Sequence, residues 1–301
     1  MRKSVLIIFL LPFFCLSQEY IDLFKIGYGQ SIKNEFKNID ESTSITSFKA
    51  GLTVPIPINE NHALITGAEF SFNKLQLFPD SEFKNLYNTF LSLGLASTWS
   101  EKWSTTLVLL PKIASDYKQI SSDDFYLGGI GILKYKKSEN LLYRIGFYAS
   151  QEAYGIFATP ILGLYYKSPN EKFEMDLSLP IKGDINYNLG AATLGIDYFG
   201  ISRSFNLQFD NSPAMYADLS STEFATYLQF NVFDERILLR TKLGYANDDY
   251  KVYEKNDKID LALSAFRFGD DRTQLNPPFK GSIFVKLEMV YRYDLAKSNS
   301  K

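Results

Sequence analysis

Ile283, Val285, Leu287, Met289, Tyr291 and Tyr293 occupy alternate positions of the stretch from Gly281 to Asp294. Between them lie Ser282, Lys286, Glu288 and Arg292, and only Phe284 and Val290 break the polar set. A period of two sends the two sets to opposite faces of one β-strand. An unbroken apolar face ending in two tyrosines suits hydrocarbon with an aromatic rim at the water boundary. Three charges on the other face do not suit the core of a soluble sandwich. The stretch reads as the closing strand of an outer-membrane β-barrel.

The same alternation recurs along the chain. Phe48, Ala50, Leu52 and Val54 alternate with Ser47, Lys49, Gly51 and Thr53, and Phe173, Met175, Leu177 and Leu179 are set against Glu174, Asp176 and Ser178. Ile237, Leu239, Leu243 and Tyr245 run opposite Arg236, Arg240, Lys242 and Gly244. Asp184–Leu189 makes a weaker, shorter strand. Connections alternate in length: short near 55–61, 100–102, 137–140, 168–171, 190–192 and 234–235, longer and polar near 31–44, 73–85, 115–124, 151–159, 205–221 and 246–280. Outer-membrane barrels have short periplasmic turns and longer outer loops, which places the short set on the periplasmic side. Trp99 and Trp103, flanking one short turn, then join Tyr291 and Tyr293 in an aromatic girdle.

The prediction is an all-β fold, an antiparallel transmembrane β-barrel of about 14 strands. Twelve result if the Asp184 segment and a neighbour do not span, and sixteen need a strand that is not visible. Ile259–Phe268 is strand-like, but counting it gives an odd total, so it is placed in a folded outer loop.

Composition changes the picture at the N-terminus. Arg2 and Lys3 precede an apolar run from Val5 to Leu16, and Cys15-Leu16-Ser17 supplies small residues for cleavage before Gln18. Residues 1–17 are therefore expected to be a signal peptide and 18–301 a single barrel domain. Phe14 is too large for a lipoprotein signal, and cleavage removes the chain's single cysteine. Aromatic residues make up 16%, which favours strands. A net charge of -2 and a pI near 5.6 argue against a nucleic-acid partner.

The Leu177-Ser-Leu-Pro180 strand end and the closing Phe284–Tyr293 strand resemble uncharacterised outer-membrane barrel families of Gram-negative bacteria, many known only as domains of unknown function. The resemblance covers the whole mature chain. It implies residence in outer-membrane lipid and insertion by the barrel assembly machinery, guided by an aromatic-rich last strand. Here a polar tail, Leu295–Lys301, follows that strand. The oligomeric state is not implied.

Residues opposite the apolar faces should line the lumen. They are Lys49, Arg144, Arg203, Arg240, Lys242, Lys286 and Arg292, against Glu69, Glu174, Asp176, Asp197, Glu223 and Glu288. So balanced a lining predicts no strong preference for one ion sign. It serves either a channel for small solutes or apolar molecules, or a closed structural or surface-interaction barrel whose interior charges pair with one another. No N-terminal segment is available as a plug.

No catalytic site is expected. The sole histidine, His62, sits at the periplasmic start of a strand, and Ser71 on the same strand is about 30 Å away at strand rise. Asp123-Asp124, Asp248-Asp249 and Asp270-Asp271 fall in expected outer loops without the ligand spacing of a calcium loop. Gly128-Gly-Ile-Gly131 is not followed by a helix as a phosphate loop would be. No metal and no cofactor are called for.

Overall fold

The computed structural model describes residues 20–208, 214–233 and 236–294. The expected signal peptide, the Asp234-Glu235 turn and the tail from Leu295 lie outside the described residues. Fourteen strands form one closed antiparallel ring. In chain order they are β1 (Tyr20–Ser31), β2 (Thr46–Pro57), β3 (His62–Leu75), β4 (Lys84–Thr98), β5 (Trp103–Ser115), β6 (Phe125–Ser138) and β7 (Leu141–Glu152). There follow β8 (Gly155–Lys167), β9 (Phe173–Leu179), β10 (Lys182–Asn188), β11 (Thr193–Leu207), β12 (Met215–Val232), β13 (Ile237–Glu254) and β14 (Ser282–Asp294). The ring closes where β14 meets β1, from Tyr20 opposite Asp294 to Ser31 opposite Phe284.

The period-two pattern decides the faces. Leu107, Leu162 and Leu243, each about 60% exposed, belong to an outward apolar band that circles the ring. So much exposed hydrocarbon on a monomeric surface is the signature of a lipid-facing wall. The chain folds as an antiparallel transmembrane β-barrel. Trp99 and Trp103 flank one short turn, with Trp103 packed 4.7 Å from the Tyr135 ring, and Tyr291 sits at the same end of the wall opposite Ile237.

The wall is not of one height. β9 and β10 have seven residues each, and their joining turn at Pro180-Ile181 lies level with Leu162 of β8 and Phe199 of β11. The weak strand foreseen near Asp184 is thus half of a hairpin that reaches only mid-wall.

Other expectations are corrected at the loop end. The stretch 151–159 is not a long loop: β7 and β8 join through Ala153-Tyr154, with Gly155 at φ +132° completing the turn. Its polar Glu152 resembled a loop residue but points inward, buried against Lys112. Much of 205–221 and 246–280 is also strand. β11, β12 and β13 stay paired up to Leu207 opposite Met215 and Met215 opposite Glu254, while β14 leaves β13 at Ala246. Asp248 and Asp249 therefore lie on a strand.

These three strand ends turn into the barrel. Arg203 of β11 donates to Ser71 on β3 at 3.3 Å, and Asn206 bridges to Ser115 on β5, on the far side of the ring. The resulting three-stranded plug packs both faces. Phe205, Tyr216, Tyr250 and Val252 are almost fully buried, together with Leu77 and Phe279 from the loops.

The loop after β13 covers the space that the three strands vacate. Its hairpin, Leu261–Leu263 with Phe266–Phe268, pairs in parallel with the outer half of β8, Phe157 opposite Ala262 and Ala158 opposite Leu263. Leu261, Phe266 and Phe268 are exposed, while Ala262 and Arg267 face the plug. The strand-like signal at 259–268 thus marks a patch in the wall, outside the ring of fourteen.

Candidate functional site

Two of the cavities inside the wall differ sharply in lining. Near the turn end is a polar chamber of about 400 Å³, lined among others by Asp22, Lys25, Glu174, Asp176, Arg240 and Arg292. Alternation along the strands aims these side chains at one another across the ring. Arg292 donates to Asp22 at 2.7 Å with its guanidinium 3.4 Å over the Tyr20 ring, and the Tyr20 hydroxyl donates to Glu174. Arg144 pairs with Asp176, which Lys182 also reaches at 3.2 Å. Arg240 lies 3.7 Å from Asp184 and donates to Gln229.

Higher up, Lys242 bridges Asp197 and Glu288, the second at 2.9 Å. Lys286 meets Glu223 at 2.6 Å, and Lys49 meets Glu69 at 2.7 Å. Each of the charges just named has a counter-charge or hydrogen bond, which offsets its desolvation. All thirteen charged positions named from the sequence lie on the inward parity of their strands. Twelve are in this network. Arg203 is the exception: beyond its Ser71 contact, no carboxylate among the described residues lies within ion-pairing distance.

Between this network and the plug lies a second cavity of about 390 Å³. Phe90, Leu110, Ile130, Phe157 and Phe199 make it mainly apolar, and Lys49, Lys112 and Arg203 bring cationic groups to its edge. Lys112 is committed to Glu152, which also accepts from the Ser204 backbone N–H at 2.8 Å and from its hydroxyl. Sequence reasoning missed this cavity and the Lys112–Glu152 pair, because both depend on the plug. Lys112 follows Pro111 inside an apolar strand, and its inward parity was the available signal.

A family model described as a domain of unknown function (DUF6268) matches residues 14–246. The chain belongs to the DUF6268 family. No curated protein matches this DUF6268 chain. Among solved structures it is similar to the P. putida toluene transporter TodX at 10% identity, over 91% of this chain and 90% of that one, with a TM-score of 0.38. It is similar to the NanC porin at 11% identity over 89% and 98%, TM-score 0.34. Pseudomonas aeruginosa OccK7 (OpdD) is similar at 9% identity over 90% and 98%, TM-score 0.32.

His62 sits beside a short turn, its Nδ1 2.9 Å from the Ser97 hydroxyl and its ring edge-on to Trp99. Ser71 instead accepts from Arg203. No cluster of metal-ligating side chains occurs among the described residues. Asp123 pairs with Lys255 at 2.5 Å, and Asp124 closes a capping box with Ser121.

Proposed function

We propose that this DUF6268 protein is a non-enzymatic barrel of the cell outer membrane that moves small molecules across it, inserted there by the barrel assembly machinery after loss of its signal peptide. The observation that carries this reading is the pair of stacked interior cavities, one polar and one apolar, enclosed by a lipid-facing wall. A barrel that served only as a scaffold has no need of an apolar space above a satisfied ionic lining. The thirteen inward charges are assigned to the walls of the route. Near-equal numbers of each sign favour neutral or zwitterionic cargo over selected ions.

The plug supports a route that is gated, without a steadily open axial pore. In planar bilayers the purified protein is expected to show little steady current, and sealed vesicles carrying it should admit small organic solutes faster than empty vesicles. Tyr250→Ala, which hollows out the packed plug, should raise the conductance. If vesicles with and without the protein are equally tight, and Tyr250→Ala conducts no better, the closed interaction barrel, which the same plug favours, replaces this reading.

A further inference from the structure

Just above the half-height hairpin, the barrel wall is interrupted. The last rung there is the Gly200 N–H donating to the Ile181 carbonyl at 2.8 Å. A Cβ on Gly200 would stand 2.6 Å from the Pro180 carbonyl oxygen, so close an approach needs glycine. Beyond this rung β11 keeps β12 on one side but has no ladder partner on the other until Asn206 reaches Ser115. Across the gap, the loop patch covers β8 only as far as Ala158, and β9 begins its pairing at Leu162. Residues 159–161 have no ladder partner on that edge. The Ser264 hydroxyl, 2.6 Å from that of Thr159, marks the patch's limit.

The second cavity occupies this interruption. A strand in an intact wall shows alternate residues to lumen and lipid. Here six consecutive residues, Tyr198 to Arg203, line one cavity. It therefore wraps round a free strand edge. It touches Phe90 and Lys112 of the opposite wall, and also Ser220 and Thr222, which share the parity of the lipid-facing Phe224. Pro180 and Ala265 form its rim on either side of the gap. Leu162 and Leu179, exposed on the outer surface, flank it.

We propose that this cavity is a lateral portal joining the lumen to the membrane half nearer the long loops, and that it admits an amphiphile with a carboxylate headgroup, which Arg203 binds. The proposal rests on reading the chain as a membrane transport barrel. The apolar lining suits a hydrocarbon tail. Lys49 and Lys112 already hold carboxylates of the protein, so Arg203 is the cation left for an incoming anion. A guanidinium held away from bulk water gains most from a bidentate carboxylate. The patch side of the portal is a loop hairpin and the opposite side a free strand edge, so entry from lipid breaks no ladder hydrogen bond.

The test uses the full barrel in phosphatidylcholine nanodiscs, titrated with dansyl-labelled undecanoate and with the matching dansyl-labelled alcohol. The wild type should bind the acid about tenfold more tightly than the alcohol, in line with a charge-assisted hydrogen bond. Arg203→Ala should erase that preference without weakening alcohol binding, and Arg203→Lys should keep part of it. Ala265→Trp, on the rim, should slow capture of both probes without changing circular dichroism. Equal affinity of the wild type for acid and alcohol overturns the proposal without any variant. So does unchanged capture by a folded Ala265→Trp barrel. Selective binding without solute entry into vesicles would leave the portal standing and remove the transport reading. Solute entry that is indifferent to both variants would do the reverse.

Discussion

Arg272 of the long loop after β13 places its Nη1 3.2 Å from Oδ2 of Asp218 on the plug strand β12, and both side chains are almost wholly buried. Asp218 has the parity that faces lipid lower on the same strand, where Phe224 and Phe230 are exposed. A carboxylate can stand there because the plug has left the membrane surface and the loop has covered it. The pair therefore ties the patched wall to the plug.

Asp218→Ala should detach that loop. It leaves Asp270 as the one carboxylate on Arg272, which keeps its bond to the Tyr216 hydroxyl, and removes Arg267's 4.0 Å neighbour, at a cost of about 3 kcal/mol for a broken buried pair. Hydrogen exchange should rise in 255–281 while the turn-end strands stay protected. Uniform protection throughout would show that the pair does not anchor the loop.

Acid should loosen the same loop. A hydrogen bond from Arg272, then its charge, holds the Asp270 carboxyl below its ordinary value of 3.8. A lowered folded-state pKa gives stability that is present above the ordinary value and is lost as pH falls through the folded one. Protease cleavage in 255–281 should be unchanged between pH 7 and 5 and increase below about pH 3.8. In Asp270→Asn that acid-dependent increase should shrink.

Lys242 is the interior cation most needed, since it separates Asp197 from Glu288. Lys242→Met should lower stability by about 3–5 kcal/mol by leaving two carboxylates without their shared partner. Adding Asp197→Asn should recover part of the loss. Heat-modifiable electrophoretic mobility, read against temperature, reports both.

The boundary between lipid-facing wall and plug can be located by paired substitutions on β13. Leu243→Arg places a charge in the apolar band and should cost about 2–4 kcal/mol in denaturant titrations in liposomes. Asn247→Arg, four residues on with the same parity and also exposed, should cost under 1 kcal/mol by the same depth dependence. Equal costs would mean that the band extends to Asn247.

The ring was legible because alternation needs only adjacent residues. The plug was not. On β11 the outward parity passes from Leu194, Ile196 and Tyr198 to Ser202 and Ser204. On β12 it passes from Phe224 to Thr222, Ser220 and Asp218, and on β13 from Tyr245 to Asn247, Asp249 and Lys251. Read singly, each polar stretch ends a strand and starts a loop. Only their common height in the register shows three strands leaving the lipid together. The short hairpin had a local sign, since Phe173, Met175, Leu177 and Leu179 make a shorter apolar face than the six residues of β14. The thirteen inward charges could be named from parity, but Arg203's lack of an acid partner depends on contacts across the ring.

The parallel pairing of Ala262 with Phe157 joins segments about a hundred residues apart in the chain. Pairing of such separation forms slowly, because a large loop must close before any contact rewards it. The β8–β9 and β9–β10 pairings close only short turns and can form before it. The barrel then has an unfinished side, and the patch docks as a late repair to it. The piece added last, held by two rungs and a few side-chain contacts, is also the one whose detachment disturbs the fewest others.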